Sequence, residues 1–221
     1  MFKRLKLTTA GESHGPAIVA VLEGVPAGLP LAPGDVADEL RRRQGGHGRG
    51  GRMKIERDEG EIFAGVRLGE TIGGPVAIRI PNRDFRNWER AMAVEAPGEE
   101  DPDLLRRVHL PRPGHADLVG MIKFDREDAR DILERASARE TAARVAAGAV
   151  AKRLLAELGA RVESHVVGLG PVSASPPDPL PEELNEASDA SPVRCLDAEA
   201  EASMIREIDE ARRAGDSLGG V

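Results

Sequence analysis

The sequence has no tyrosine, one tryptophan, four phenylalanines and a single cysteine among its 221 residues. With so few aromatic rings, a core has to be built from Val, Ile, Leu and Ala, and stacking platforms for nucleic-acid bases have little material. The lone Cys195 excludes an internal disulfide framework and a cysteine-based zinc site. No H-x-x-x-H or H-E-x-x-H spacing occurs either, so no metal centre is expected. Long hydrophobic runs are missing too. The start, MFKRLKLTTAGESHG, is basic but adjoins no apolar run of signal-peptide length, and AIVAVLEG is broken by Glu23 and Gly24. These features lead us to expect a cytoplasmic chain with no membrane partner. Positive charge is in deficit, with a net charge of −7. That balance argues against nucleic acid as a partner, and any anionic ligand would need a local basic pocket.

The length allows one large domain or two small ones, and strands and helices are mixed along the chain. An apolar, partly β-branched run predicts a strand at Ala17–Leu22, a further strand is expected at Val76–Ile80, and Leu5–Thr9 is a candidate strand before Gly11. Pro33-Gly34-Asp35 opens a helix with Asp35 as its cap. The run RMKIERDEGEIFAGVRL reads as a hairpin turning at Asp58-Glu59-Gly60, and residues 95–107 as a charged loop or exposed helical turn. Helices are predicted near 126–135 and 138–157, the second started by a capping box, Ser137-Ala-Arg-Glu140, and ending at Gly159. Its Ala142, Ala146, Ala149 and Val150 form a smooth face suited to close packing. A strand is expected at Arg161–Val167, a Pro- and Ser-rich surface loop at 171–193, and a last helix at about 197–213 with Met204, Ile205 and Ile208 as its buried stripe. Gly215 reads as its C-cap. SLGGV then reads as the entry to a strand, so a sheet is expected to be incomplete at the C-terminus and the chain truncated.

Three motifs carry candidate chemistry. Gly11-Glu12-Ser13-His14-Gly15 fits the G-x-S-x-G nucleophile elbow of serine hydrolases. An elbow needs a helix after the serine, whereas Gly-Pro and β-patterned residues follow here, so Ser13 is not expected to be a nucleophile. The second motif, RRRQGGHGRGGR at 41–52, has five arginines and no acid. It is too short for an RGG-type RNA-binding segment, and its G-x-G-x-x-G follows a helix and opens none, which fails the dinucleotide context. Val36, Leu40 and Arg43 share one helix face, so Arg43 extends the covered side, where an arginine calls for an anionic partner. Glycines around Arg49 would let backbone approach such a ligand closely. The third, Arg112-Pro-Gly-His115-Ala-Asp117, sets a histidine in a polar turn where acid–base work is feasible.

Taken together, AGESHGPA, RRRQGGHGRGGRMKIERD, RPGHADLVGMIKFD and ERASARETAARVAAGAVAK closely resemble the chorismate synthase family in order and spacing, over essentially the whole chain. The resemblance implies an α+β fold, a β-α-β sandwich of antiparallel sheets with helices packed between or against them. It implies a shikimate-pathway lyase of aromatic amino acid biosynthesis, which converts 5-enolpyruvylshikimate 3-phosphate to chorismate by 1,4-anti elimination of phosphate. The implied cofactor is reduced FMN, with NADPH as reductant in members that reduce their own flavin, and the implied assembly is a homotetramer. By motif match, Ser13, Arg43, Arg49, Arg112 and Arg139 would bind the small anionic substrate, with Ser137 as a further hydrogen-bond partner. His14 would give a proton to the departing phosphate, and His115 would lie near flavin N1. Arg135, Ala136 and Ser137 match an FMN-contact segment, and Arg43 and Arg49 match nicotinamide-phosphate positions. The family chain is longer, and its second half carries further FMN-contacting segments that do not occur among these residues.

Overall fold

The computed structural model describes residues 4–48, 58–96, 98 and 102–221. The chain divides into two compact units, Met1–Arg43 with Glu56–Glu157, and Gln44–Ile55 with Leu158–Val221.

The first unit carries β1 (Lys6–Ala10), β2 (Ala17–Glu23), α1 (Pro33–Gln44, whose last residue belongs to the other unit), β3 (Glu61–Ala64), β4 (Val66–Arg67), β5 (Glu70–Thr71) and β6 (Val76–Pro81). After these come α2 (Asp117–Phe124), α3 (Arg130–Ala136) and α4 (Glu140–Ala156). Four strands form an antiparallel sheet in the order β1-β2-β6-β3, and β4 pairs with β5 as a separate ribbon. Alternation along β2 buries Ile18, Ala20 and Leu22, and β6 adds Val76, Ile78 and Ile80. Helix α4 covers this layer with Ala142, Ala143, Ala146, Ala147, Ala149 and Val150, all buried. Small side chains let its axis come close to the sheet, as the alanine-rich face predicts. Helix α1 closes the core with Val36 and Leu40.

Several local expectations change. Helix α1 begins at Pro33, and Asp35 is its back-reaching arm, accepting from Ala32 N at 2.8 Å. The helix expected at 126–135 begins at Arg130, with Asp128 accepting from Arg130 N at 2.9 Å. The capping box at Ser137 does not form. Glu140 turns instead to Thr9 and Arg144, and a tightened turn starts α4, with Glu140 N donating to Ser137 O at 3.1 Å. Asp58 is no surface turn residue; its side chain is buried. The arm expected before it, 52–57, lies outside the described residues. Residues 102–105 form a short 3-10 turn, in keeping with the expected exposed turn.

The second unit carries β7 (Gly168–Leu169), β8 (Val172–Ser173), α5 (Leu184–Asp189) and α6 (Ala198–Ala214). Met204 is fully buried beside Val193, Cys195 and Ala200, with Ile205 and Ile208 against them. Asp197 caps α6 by accepting from Glu199 N and Ala200 N, and Gly215 ends it with φ 71°. Residues 220 and 221 pair with β7, where Val167 N and Gly168 N donate to Val221 O. The strand expected over 161–167 is absent apart from a single bridge, Val166 with Cys195. Side chains supply its partners: Asn185 donates to Val162 O, and Ser188 and Arg194 donate to Ser164 O. Those partners sit in and around α5, so the presumed loop 171–193 contains both β8 and a short helix.

Candidate active site

Strand order decides which residues meet. Ala17 pairs with Pro81 and Glu61 with Arg79, so the β1–β2 loop, the residues before β3 and the residues after β6 leave the sheet at one end. The first turn of α4 joins them there, because Thr9 Oγ1 donates to Glu140 Oε1 at 2.8 Å.

The β1–β2 loop holds Ser13 and His14. Its reversal requires Gly11, with φ 95°, since a Cβ there would stand 2.2 Å from Ala17 O. Arg135 Nη1 donates to Gly11 O at 2.5 Å, and Asn82 Nδ2 donates to Gly15 O at 2.9 Å. Ser13 is fully buried, with its N donating to Glu134 O at 3.0 Å and its Oγ to Ser137 Oγ at 2.9 Å. A strand, β2, follows the loop in place of a helix, so the elbow context fails as predicted.

His14 lies against Glu134, whose side chain is 2 % exposed. The ring Nδ1 is 2.8 Å from Glu134 Oε1, and His14 N donates to Oε2 at 2.8 Å. Arg130 Nη1 adds a third donor at 2.9 Å. Burial alone would raise the Glu134 carboxyl, but the His14 bonds, the His14 charge and the Arg130 bond hold it below the usual carboxylate range. Trp88 covers the imidazole, with ring centroids 3.8 Å apart.

Asp58 joins two of the expected arginines. Its Oδ2 accepts from Arg43 Nη1 at 3.0 Å and its Oδ1 from Arg139 Nη1 at 2.9 Å. Arg43 also donates to Ala138 O and Thr141 Oγ1, and Arg139 to Pro81 O. The anionic partner that Arg43 requires on its covered helix face is thus provided within the chain. Arg139 N also donates to Ser137 Oγ at 3.3 Å, which ties this pair to Ser13.

The RPGHAD turn is built separately. Arg112 grips the fully buried Asp117 through Nε at 2.8 Å and Nη2 at 3.0 Å. His115 is exposed and its Nδ1 donates to Pro113 O at 2.9 Å. The turn leads into α2, which packs on α3 so closely that a Cβ on Gly120 would meet Ile132 at 2.3 Å. Arg112 is near enough for the Glu134 charge to help raise its pKa, after the larger effect of its bond to Asp117.

The structure therefore brings Ser13, His14, Arg43, Arg135, Ser137 and Arg139 into one bonded cluster, with Ala136 in the last turn of α3. Arg112 and His115 stand on the neighbouring turn, and Arg49 lies outside the described residues. Chemically the cluster offers hydroxyls, one imidazole and guanidiniums at the start of a 17-residue helix, a donor set that fits phosphate and carboxylate groups. The start of α4 presents no row of open N–H groups at residues 140–142, because Glu140, Thr141 and Ala142 N–H donate to the carbonyls of residues 137–139. The exposed His115 ring has the chemistry to face an anionic group. Sequence reasoning missed Glu134, Trp88, Asp58 and Asn82. Trp88 alone carried a signal, as the only tryptophan in a chain short of aromatics.

A family model described as chorismate synthase matches residues 5–221. A protein named chorismate synthase from Listeria welshimeri is 53 % identical over 218 residues, covering 98 % of this chain and 56 % of the relative. Chorismate synthase 1 of Bacillus thuringiensis is 53 % identical over 219 residues, with the same coverage. A solved structure titled "Crystal Structure of Chorismate Synthase" matches 100 % of this chain and 57 % of its own, at 38 % identity and a TM-score of 0.75. The chain thus spans about half the length of the curated relatives it matches.

Proposed function

Since the chain belongs to the chorismate synthase family, we propose that it supplies the anion-binding and proton-donating half of a shikimate-pathway lyase that converts 5-enolpyruvylshikimate 3-phosphate to chorismate. The observation that carries this reading is the Ser13 Oγ–Ser137 Oγ bond at 2.9 Å, which joins two distant motifs of the resemblance in one cluster of arginines and a histidine. The substrate carries two carboxylates and a phosphate, for which Arg43, Arg112 and Arg139 are suited partners. Asp58 and Asp117 already neutralise these arginines in part, so the substrate competes with internal carboxylates. That competition selects for a ligand of high charge. Ser13 orients the phosphate. His14 donates a proton to the phosphate oxygen as the carbon–oxygen bond breaks, and the dianionic leaving group departs protonated. Arg135, Ala136, Ser137 and His115 would hold reduced FMN, which supplies an electron-rich ring in a reaction without net redox change. NADPH as flavin reductant, bound at Arg43 and Arg49, together with a cytoplasmic homotetramer, belongs to the same proposal.

The test is chorismate absorbance under anaerobic conditions, using the full gene product. Product should form from 5-enolpyruvylshikimate 3-phosphate with reduced FMN and not with oxidised FMN. Absence of chorismate with reduced FMN would overturn the reading.

A further inference from the structure

We propose that Glu134 is a positioning residue for His14, fixing a ring proton on Nδ1 and so assigning proton exchange with the substrate to Nε2. This inference rests on the reading of His14 as the proton donor. Glu134 receives three N–H groups, from His14 N, His14 Nδ1 and Arg130 Nη1, at 2.8, 2.8 and 2.9 Å. Its side chain is 2 % exposed, so these donors stand in for the water it has lost. An ionised carboxylate only accepts, and the depressed carboxyl of Glu134 keeps it ionised at neutral pH. The nitrogen facing it must therefore donate in both charge states of the ring. A neutral imidazole in water favours the proton on Nε2, so the site reverses that preference.

The backbone bond makes the arrangement more than a chance ion pair. Glu134 holds residue 14 at two points, main chain and ring, while Glu134 O accepts from Ser13 N at 3.0 Å. Trp88 lies over the imidazole at 3.8 Å between centroids and limits its rotation. Trp88 is itself anchored by Nε1 donating to Asp84 Oδ2 at 2.9 Å. Charged groups of both signs surround the ring. Glu134 contacts it directly. Arg130 bonds the same carboxylate, and the guanidiniums of Arg130 and Arg106 lie 5.1 and 4.1 Å from the Trp88 ring centre. Arg112 reaches Glu134 through its charge.

Nitrogen-15 NMR of the full gene product tests the assignment, with the His14 signals identified by their loss in His14→Gln. Neutral His14 should carry its proton on Nδ1, and a proton on Nε2 would overturn the proposal. This reading needs no variant at Glu134, so it decides the question even if substitutions there unfold the chain. In folded Glu134→Ala, which removes the acceptor, neutral His14 should move toward the Nε2 proton that water favours. An unchanged Nδ1 proton in that variant would also overturn the proposal. Both measurements are made without substrate. A chain that shows the tautomer and its loss in the variant but makes no chorismate keeps the positioning role and loses the lyase reading. An active chain with the proton on Nε2 loses only the positioning role.

Discussion

Asp117 stands at the start of α2 with its side chain fully buried, and it accepts Arg112 Nε and N at Oδ2 and Arg112 Nη2 at Oδ1. The Arg112 side-chain bonds outweigh the opposing effect of burial and lower its carboxyl to about 2. A carboxyl lowered on folding stabilises the protein above its unfolded pKa, near 4, and that contribution is lost as pH falls toward about 2. Asp117→Asn should therefore be less stable than the parent at pH 7, and the difference should shrink between about pH 4 and pH 2 in urea titrations. A difference that stays constant through that interval would contradict the pairing. At this scale the sequence was partly legible. Arg43 could be named from its covered helix face, and Arg112 and Arg139 through the family resemblance. Their internal partners could not be read: Asp58 follows a run of polar residues, and nothing local tells a turn aspartate from one buried between two guanidiniums. Glu134 was hidden for the same reason, since its partner His14 lies 120 residues away.

Helix α4 shows how an element made of weak hydrophobes holds a core. Six buried small residues face the sheet, and Ala146 is among those with no exposure. Each alanine gains little by its own transfer from water, so stability comes from the close approach it permits and the contacts that Ile18, Ile78 and Ile80 make as a result. Ala146→Leu should then overpack the interface and cost about 1–3 kcal/mol in urea denaturation. An unchanged midpoint would mean the helix does not press on the sheet at that position. Periodicity made α4, α6, β2 and β6 readable, because each buries a regular face, whereas β1 has no buried residue and no such signal. It failed over 161–165, where Asn185 donates to Val162 O and Ser188 and Arg194 donate to Ser164 O in place of a neighbouring strand. It failed again at Ser137, where the capping-box pattern is present but Glu140 is drawn to Thr9 and Arg144. Short-range patterns describe what the backbone would do alone, and tertiary partners redirected both segments.

For the molecule as a whole, a net charge of −7 and the proposed site for an anionic substrate are compatible because charge is sorted locally. One end of the β1-β2-β6-β3 sheet gathers Arg43, Arg135 and Arg139, while acidic residues such as Glu199, Glu201 and Glu207 lie along α6 in the other unit. The architecture class was legible through the family resemblance, and β1 and β2 pair antiparallel because a six-residue turn joins them. The sheet order was not legible, since β6 pairs with β2 across more than fifty residues of intervening chain. The functional conclusion turns on one side chain at that sheet end. The decisive measurement is the turnover of His14→Ala beside the parent, made anaerobically with reduced FMN on the full gene product, with substrate affinity measured separately. If His14 protonates the departing phosphate, kcat should fall by about 10²–10⁴-fold while the substrate dissociation constant changes only a few-fold. A His14→Ala protein that makes chorismate at the parent rate would contradict the assignment of His14 as the proton donor.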